Sequence, residues 1–348
     1  MHFAFTEQQL EFRDAVRQVL AKECGPADVR AAYEAPSARS RRWSTLAELG
    51  VVGLTVPEAE GGLGLGLVDL VPLLEEAGRV ALPEPLVETT ALAIPLLAEL
   101  GTGDEPGRAR RRWLGAISRG EVAAAVGIEG PDVPLAGAEG ADLYLLTAPG
   151  DGSPEIHLLE PAEVTVTPLG SLDPTRRLGT VRWEPTTRTR LATGPAAVDA
   201  VRRTAERAAV AVGSELIGLA EQMISRAAAY AQERHQFGRP IGSFQAVKHL
   251  LAGAQVKLEF ARPVVYGAAW AVDEGEPHAS VAASTAKACA ADAADEAARV
   301  SLQVHGAIGY TWECDLHLFL KRTWALSEAW GSAAEHRARV LDALVSPS

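Results

Sequence analysis

The chain has 348 residues, of which 47% are hydrophobic and 22% are charged, and its formal net charge is -12. This composition is typical of a globular protein with a sizeable core and excludes a disordered chain. The acidic balance argues against nucleic-acid binding, which requires a basic surface, although local arginines can still bind small anions. No segment reaches the roughly 18 consecutive apolar residues that a membrane-spanning helix needs.

The cysteines are few and unpaired along the sequence. Cys24, Cys289 and Cys314 form no Cys-x-x-Cys motif. A low, odd count favours a reducing compartment, so we expect a cytoplasmic protein without disulfides. Cys314 and His317 lie close in sequence, but no second pair completes a zinc site, and we predict no metal centre.

The first third of the chain is predicted to be helical. Thr6 and Gln9 have the spacing of a capping box, and the helix that they open must stop at Gly25-Pro26. Its expected buried stripe consists of Phe12, Val16, Val19 and Ala21. Further helices are predicted over 44–49, 68–80 and 91–100. The glycines of the loop 58–66 are interpreted as turn residues, because no βαβ unit follows them.

The middle of the chain changes character, because short runs rich in β-branched residues replace the helical pattern. Glycine, proline and aspartate separate these runs, as they separate strands joined by turns. The predicted strands cover 141–147, 156–159, 164–167 and 178–183. Together they predict a small β unit of about four strands.

From Pro195 onward the chain is predicted to be helical again. A long helix begins at Phe244 and carries apolar residues at alternating steps of three and four, and Pro263 is expected to kink it. Its predicted buried stripe is Phe244, Val247, Leu251, Ala254, Leu258, Ala261, Val265, Ala268 and Val272. The fold is therefore predicted to be mainly α with a small β unit. The N-terminal helical domain would cover 1–120, the reduced middle β-sheet domain 121–194, and the C-terminal helical bundle 195–348.

The segment 230–249, YAQERHQFGRPIGSFQAVKH, has the residues of a dinucleotide contact. Arg234 offers a fixed guanidinium fork that suits a pyrophosphate. The loop 238–242 contains glycines that allow the backbone to approach a ligand. Gln245, near the start of a helix, adds a polar contact.

This segment resembles the signature of the acyl-CoA dehydrogenase family, in which an arginine, two residues and Phe-Gly precede a short loop and a Phe-Gln pair. The segment 302–322, LQVHGAIGYTWECDLHLFLKR, is similar to the family's Gln-x-x-Gly-Gly-x-Gly-Tyr turn, with Ala307 in place of the second glycine. The segment 48–70 resembles the family's N-terminal Pro-Glu-x-x-Gly-Gly loop. Because the three segments occur in the family's order over nearly the whole chain, the protein is identified as a member of this family.

The resemblance implies that FAD is held at a subunit interface, bound mainly by a neighbouring subunit. The residues that it implies as cofactor contacts are Arg234, Gln236, Phe237, Phe244, Gln245, Gln303, His305, Gly306, Ala307 and Ser332. His305 has a second interpretation, because a single histidine is often only a packed side chain.

The chain departs from the family at the catalytic base. The family removes the α-proton of an acyl thioester with a carboxylate while the β-hydride moves to the flavin. Many members carry this glutamate in a Glu-Gly-Thr turn near the C-terminus, where an ungapped count gives Trp330-Gly331-Ser332 here. Other members place it on the long helix before the arginine signature, at the position of Ala208.

Two carboxylates near Ala208 are weak candidates for a displaced base. Glu206 would lie on a different face of the helix and is expected to be solvated. Glu215 would lie on the same face, two turns or roughly 10.5 Å along the axis, and is expected to be partly buried among small apolar residues. The catalytic base is therefore left unassigned.

The middle unit also departs from the family. The family has a Thr-Glu-Pro-x-x-Gly-Ser-Asp loop and a further strand pair with a Thr-Asn turn against the flavin ring. Here the segment 125–146 leads almost directly into the later strands, although 173–184 still matches the later part of the family's sheet. Two loops that form walls of the flavin and acyl pocket are thus expected to be lost.

Three functional hypotheses follow. The chain could be a supporting subunit that helps to hold FAD for a full-length homologue in a hetero-oligomer, with an acyl thioester as the substrate of the complex. It could instead be a self-sufficient FAD-dependent dehydrogenase, assembled with itself, that uses a displaced base. The third hypothesis is a flavin-free structural relative. The first is preferred, because the motifs that serve a neighbour's FAD are retained while the chain's own pocket elements are lost. The sequence does not identify the acyl group of the substrate.

Overall fold

The computed structural model describes residues 4–35, 40–100, 104–130 and 133–345, with the backbone alone for 104–109. The chain forms two compact units. The first unit comprises Met1–Arg30, Val71–Leu82 and Ala209–Ser348, and the second comprises Ala31–Leu70 and Pro83–Ala208.

Helices form both ends of the chain. They are α1 Glu7–Glu23, α2 Pro26–Glu34, α3 Arg41–Glu48, α4 Leu67–Arg79, α5 Ile94–Leu100, α6 Asp104–Ser118, α7 Gly194–Glu233, α8 Gln245–Asp273, α9 Ala279–His305, α10 Leu316–Glu328 and α11 Ala333–Val345. The strands are β1 Ala124–Gly127, β2 Leu143–Pro149, β3 Pro154–Leu159, β4 Val164–Pro168, β5 Gly179–Trp183, β6 Arg190–Ala192, β7 His235–Gln236 and β8 Arg239–Pro240. The predicted fold, mainly α with a small β unit, is confirmed. The three predicted domain ranges stay a prediction.

The second unit contains two small sheets. The larger has the strand order β1-β2-β3-β6, with β1 parallel to β2 and the other pairs antiparallel, and the smaller is the antiparallel pair β4-β5. Buried side chains from both sheets, including Tyr144, Leu159 and Val181, form one apolar cluster. The Tyr144 hydroxyl donates a hydrogen bond of 2.7 Å to the carbonyl of Ala138. The buried hydroxyl is therefore satisfied inside the cluster.

All four predicted strands are present, as β2 to β5, but β1 and β6 were not predicted. β1 contains two alanines and a glycine, which have low β-propensity, and β6 is only three residues long. Both strands exist because a neighbouring strand offers them backbone partners. Such pairing is not visible in local sequence.

The helix predicted over 91–100 begins with a π-helical segment, Val87–Ala93, before α5. Its buried threonines bond the surrounding backbone. Thr89 accepts a hydrogen bond from the amide of Ala124 at 3.0 Å, and Thr90 donates to the carbonyl of Val52 at 3.2 Å. This segment was not anticipated, because i→i+5 bonding leaves no simple sequence pattern.

In the first unit, α1 opens with the predicted capping box between Thr6 and Gln9 and ends before Gly25-Pro26. The predicted buried stripe was partly wrong. Ala21 is exposed, whereas Val16 and Leu20 are buried. The correct pair is separated by four residues, which places both side chains on one face of a helix with 3.6 residues per turn.

The predicted buried stripe of α8 is confirmed from Ala254 onward but not at its first three positions. Its central members are buried, namely Ala254, Leu258, Ala261, Val265, Ala268 and Val272, while Phe244, Val247 and Leu251 are half-buried at its start. The stripe packs against α9, whose buried face consists largely of alanine. The helix continues through Pro263. None of the described helices is long and apolar enough to cross a bilayer.

Two glycines allow α4 and α7 to cross closely within the first unit. A Cβ at Gly218 would lie 1.9 Å from the carbonyl oxygen of Glu75, and one at Gly78 would lie 2.1 Å from that of Glu215. No side chain fits at either position, so the two backbones are in direct contact.

Candidate functional site

The arginine motif forms a short hairpin between α7 and α8. β7 and β8 are joined by Phe237 and Gly238, whose φ angles of 52° and 77° are both in the left-handed region. This is the backbone of a tight two-residue hairpin turn, which glycine adopts freely and phenylalanine does not. Phe237 is 90% exposed. The hairpin thus keeps the Phe237 ring in solvent, on a backbone conformation that phenylalanine disfavours.

Phe244, at the start of α8, contacts two side chains of the hairpin. The Phe237 ring meets the Phe244 ring edge-on, with centroids 6.1 Å apart, and the Arg239 guanidinium lies 4.1 Å above the Phe244 ring. Gly242 packs on the end of α7, where a Cβ would be 2.9 Å from the carbonyl of Ala231. The glycine at this position therefore serves helix packing rather than approach to a ligand.

Arg234 lies at the base of the hairpin. Its amide donates to the carbonyl of Tyr230 at 2.8 Å, and its carbonyl accepts from the amide of Ile241 at 2.8 Å. The side chain is exposed, and none of the described residues forms an ion pair with it. Gln236 and Gln245 are also exposed. The backbone of Arg234 is fixed while its guanidinium is available to an external anion.

The second motif forms the end of α9 and the following turn. Gly306 caps α9 with a φ of 66°, and a Cβ at Gly309 would lie 2.9 Å from a Leu302 methyl group. Gln303 and Ala307 are exposed. The sequence therefore needs glycine at 306 and 309, whereas the family's second glycine can be replaced by Ala307 without a steric clash.

His305 joins the two motifs. Its ring stacks on Tyr230 with centroids 4.5 Å apart and planes 18° apart. Its Nδ1 donates to the carbonyl of Ser301 at 2.7 Å, and burial lowers the pKa of the imidazole. Burial therefore favours the neutral ring, in which Nε2 is the acceptor. Packing and ligand contact are therefore compatible roles for His305. Its Nδ1 edge bonds the Ser301 carbonyl, while its Nε2 edge can contact a ligand.

The turn around Trp330, where the sequence comparison predicted the loss of the family's glutamate, is held by buried side chains. Trp330 has a φ of 60° and Gly331 a φ of 100°. Lys287, which is fully buried, donates hydrogen bonds of 2.9 Å to the carbonyls of Ser327 and Gly331. His336 bonds the Trp330 carbonyl at 3.0 Å through Nε2. Burial lowers the pKa of His336 to about 4, so this imidazole is neutral and donates.

Ser332 begins α11. Its hydroxyl accepts from the amide of Glu335 at 3.3 Å and donates to the Glu335 carboxylate at 2.9 Å, while its own amide donates to the same carboxylate at 2.7 Å. This reciprocal capping box occupies the hydroxyl. The cofactor contact predicted for Ser332 stays a prediction. Capping α11 is a second, structural role of the same residue.

The two candidate bases lie in different surroundings. Glu206 was expected to be solvated, and this was wrong. It is only 6% exposed and accepts a hydrogen bond from Arg202 at 2.8 Å, because the i,i+4 spacing on α7 brings the two side chains together. Glu215 is 5% exposed and lies where α7 crosses α4, as its expected partial burial indicated.

A partly buried ionic cluster in the first unit was missed by sequence reasoning. Arg262 bridges Glu75 and Glu221, Arg79 also pairs with Glu221, and Arg17 binds Glu76 through two hydrogen bonds. Burial raises the pKa of Glu75 to about 7 despite the nearby Arg262. The members are scattered over α1, α4, α7 and α8. The one sequence feature that could have predicted the cluster is the Glu75-Glu76 pair within an apolar helix.

A cavity of about 730 Å³ lies in the second unit beside β4 and β5. Trp183 lines it, and an ion pair between Glu163 and Arg188 lies at its edge. Behind Trp183, the fully buried His157 bonds Thr189 at 3.0 Å through Nδ1. The lining combines apolar side chains with the charged groups of Glu163, Arg182, Glu184 and Arg188.

The groups at the hairpin and the α9 turn fit a flavin dinucleotide. A pyrophosphate requires a cationic fork, which the exposed Arg234 provides. An adenosine moiety requires polar groups, and the exposed Gln303 and the Nε2 of His305 can provide them. The Tyr230–His305 contact keeps these groups on one part of the first unit.

Two family models match most of the chain. The family model described as acyl-CoA dehydrogenase, N-terminal domain, matches residues 6–121, and that described as acyl-CoA dehydrogenase, C-terminal domain, matches 198–345. The acyl-CoA dehydrogenase IpdE2 of Mycobacterium tuberculosis is 33% identical over 331 residues, which cover 94% of this chain and 95% of that protein.

Two solved structures share the fold. A chain of the ChsE4-ChsE5 complex from Mycobacterium tuberculosis has a TM-score of 0.88 and 24% identity, with 100% of both chains covered. The steroid ACAD described as Tcur3481-Tcur3483 has a TM-score of 0.86 and 26% identity, with 97% of this chain and 98% of that chain covered. With both family models matched in order and a relative at this identity along the chain, the protein belongs to the acyl-CoA dehydrogenase family.

Proposed function

We propose that this chain is the supporting subunit of a heteromeric acyl-CoA dehydrogenase and helps to hold FAD for a homologous catalytic chain. The observation that carries the proposal is Trp330, an indole where the family's base is expected. The turn around it is held by Lys287 and His336, so this position carries an indole on a fixed backbone and no carboxylate of its own. The general base of the complex would then be a carboxylate of the homologous chain.

The hairpin and the α9 turn would be the parts that serve the cofactor. Arg234 would donate to the pyrophosphate, while Gln303 and His305 would contact the adenosine half. Phe237, Phe244, Gln236 and Gln245 would line the same contact. When bound, FAD supplies the acceptor for the β-hydride of the acyl thioester.

The alternative of a self-sufficient enzyme needs a base on this chain. Glu215 is buried at a helix crossing and Glu206 is paired with Arg202, so neither carboxylate is presented to a substrate. Two of the solved structures with this fold are named as pairs of proteins, which supports unlike subunits as a form that the fold can take.

The test is to purify the chain alone and together with a full-length homologue from the same genome that keeps the glutamate. We expect a colourless protein alone, and a yellow complex whose flavin is bleached by an acyl-CoA. Thioesters with fatty, branched and steroid acyl groups should all be tried, because one solved structure is named a steroid ACAD. Stoichiometric flavin bleached by the chain alone would refute the proposal.

Arg234→Ala in the complex tests the cofactor contact. Loss of a charge-assisted fork costs about 1.5–3 kcal/mol, so flavin should dissociate roughly 10- to 100-fold more readily. Arg299→Ala is the matched control, because Arg299 is an exposed arginine whose only described ion pair is with the neighbouring Glu296. Equal flavin retention in the two variants would show that Arg234 does not bind the cofactor.

A further inference from the structure

A second cavity, of about 330 Å³, lies within the first unit and is lined by residues other than the predicted cofactor contacts. It is formed where the last turns of α1 meet α4, α7 and α10. Its volume equals that of about eleven water molecules in the liquid and lies at the lower end of the range for small-molecule sites. The cavity is therefore large enough for a small metabolite.

The charged side chains that line this cavity are mainly arginines. Arg17, Arg79 and Arg226 reach it from three different helices, and Glu76 is the one acidic residue among the described lining residues. This excess of positive charge contrasts with the formal net charge of the whole chain, which is -12. A concave surface with one sign of charge attracts small ions of the opposite sign. The cavity is therefore suited to an anion.

Arg226 carries the least compensated charge of the three arginines. Its one described ion pair is a contact of 3.4 Å with Asp315, and Arg30 binds the same carboxylate at 2.5 Å. By contrast, Arg17 binds Glu76 through two hydrogen bonds of 2.7 and 2.9 Å. Because Arg226 shares a single carboxylate with a second arginine, positive charge is left over beside the cavity.

Arg226 also has a hydrogen-bond donor without an acceptor. Its guanidinium lies 4.8 Å above the ring of Phe319, which is itself buried. The Nε–H group is buried, and none of the described residues accepts a hydrogen bond from it. Buried polar groups in folded proteins are nearly always hydrogen-bonded to protein, water or a ligand. An oxygen atom in the cavity that Arg226 lines would satisfy this donor.

The lining indicates which kind of anion the cavity would take. Guanidinium groups bind carboxylates and phosphates through parallel N–H···O hydrogen bonds. Leu20, Val80 and Phe319 add apolar walls beside the arginines, and the side-chain amide of Gln222 adds a neutral donor. The mixture suits a molecule that has an oxyanion group and a short carbon skeleton.

We propose that this cavity binds a small organic anion, a carboxylate or a phosphate ester, through the guanidinium of Arg226 with Arg17 and Arg79 beside it. The proposal is independent of the function proposed above, because the residues that line the cavity differ from the predicted cofactor contacts. The ligand would link α1, α4, α7 and α10, so its binding should stabilise the folded chain.

The test titrates the whole chain with succinate and with glycerol 3-phosphate, which represent the two kinds of oxyanion. Isothermal calorimetry measures binding, and thermal unfolding measures the rise in Tm that a ligand of the folded state produces. Salt at about 0.15 M screens weak attraction to exposed arginines. We expect saturable binding at one site per chain, and the anion that binds more tightly identifies the oxyanion group of the ligand.

Two variants test whether the binding occurs in this cavity. Arg226→Gln removes the charge and should weaken binding about 10- to 100-fold. Arg203→Gln is the matched control, because Arg203 lies on the same helix and pairs with Glu99 at 3.0 Å. Ala21→Phe keeps every arginine and fills the cavity from an exposed position on α1, so it should abolish binding. Thermal unfolding without ligand confirms that each variant folds.

The outcomes are distinct. Binding that Arg226→Gln and Ala21→Phe both weaken, but Arg203→Gln does not, would confirm the site. Equal binding by the wild type and Ala21→Phe would place the ligand elsewhere and overturn the proposal. If neither anion binds saturably, water fills the cavity and the proposal is wrong. Flavin retention in the complex with the homologue is measured separately, so these results do not decide the supporting role of the chain.

Discussion

The ring of His305 lies flat on the ring of Tyr230, with centroids 4.5 Å apart, and this contact joins the two sequence motifs of the candidate site. Tyr230 lies in the last turn of α7, which leads to the hairpin, and its carbonyl accepts a hydrogen bond from the amide of Arg234. His305 ends α9, next to the glycine that turns the chain. One aromatic pair therefore couples the position of the arginine to that of the α9 turn.

The coupling can be measured with a double-mutant cycle on His305→Ala and Tyr230→Ala. Stacked aromatic pairs contribute about 1 kcal/mol beyond their buried area, so the free energies of unfolding should be non-additive by about that amount. Tyr230→Phe keeps the ring and should behave like the wild type. Additive effects within about 0.3 kcal/mol would mean that the two rings do not stabilise each other.

Lys287→Met should destabilise the protein by about 3 kcal/mol. The substitution keeps the length of the side chain but leaves the buried carbonyls of Ser327 and Gly331 without their donor. Chemical denaturation measures the loss, and Lys22→Met is the control at an exposed helical lysine. A change below about 0.5 kcal/mol would show that the Trp330 turn does not depend on the ammonium group.

Stability should depend on the protonation of Glu75. Its folded pKa of about 7 lies above the unfolded value of 4.5, so the folded state binds the extra proton. This contribution is complete below pH 4.5 and is lost as the pH rises through about 7. The shift corresponds to roughly 3 kcal/mol at most.

Glu75→Gln should therefore flatten the fall in Tm between pH 5 and pH 8, because glutamine has no proton to lose. Glu328→Gln, at an exposed position on α10, should leave the wild-type slope unchanged. Parallel Tm profiles for the wild type and Glu75→Gln would show that Glu75 stays ionised over this range.

Gly218→Ala and Gly253→Ala are the same substitution in two helix interiors with opposite expected results. At Gly218 the new methyl would meet the Glu75 carbonyl at 1.9 Å and force α4 away, which should cost more than about 3 kcal/mol. At Gly253 the methyl meets nothing within 4 Å, so the higher helix propensity of alanine should stabilise by about 0.5–1 kcal/mol. Thermal unfolding of the isolated chain measures both, and a neutral Gly218→Ala would disprove the close helix crossing.

Much of the fold could be read from the sequence, because local periodicity carries that information. The apolar spacing of α8 identified its buried stripe, and Thr6 with Gln9 identified the start of α1. The residues around Arg234 and Gln303 were sufficient to indicate the family. In each case neighbours along the chain determine the outcome, through helix geometry or through a motif of fixed spacing.

Tertiary structure decided the features that depend on residues distant in sequence. Glu206 was expected in solvent and is buried, and the ionic cluster around Arg262 gathers side chains from four helices. Lys287 meets the Trp330 turn only after α9 and α10 have packed together. Burial and pairing of a charge are properties of the surrounding elements, because the free energy of a charged group depends on what displaces its water. Sequence by itself determined the mainly helical fold, four of the strands and the family. Packing determined which charges are buried and which rings hold the site together.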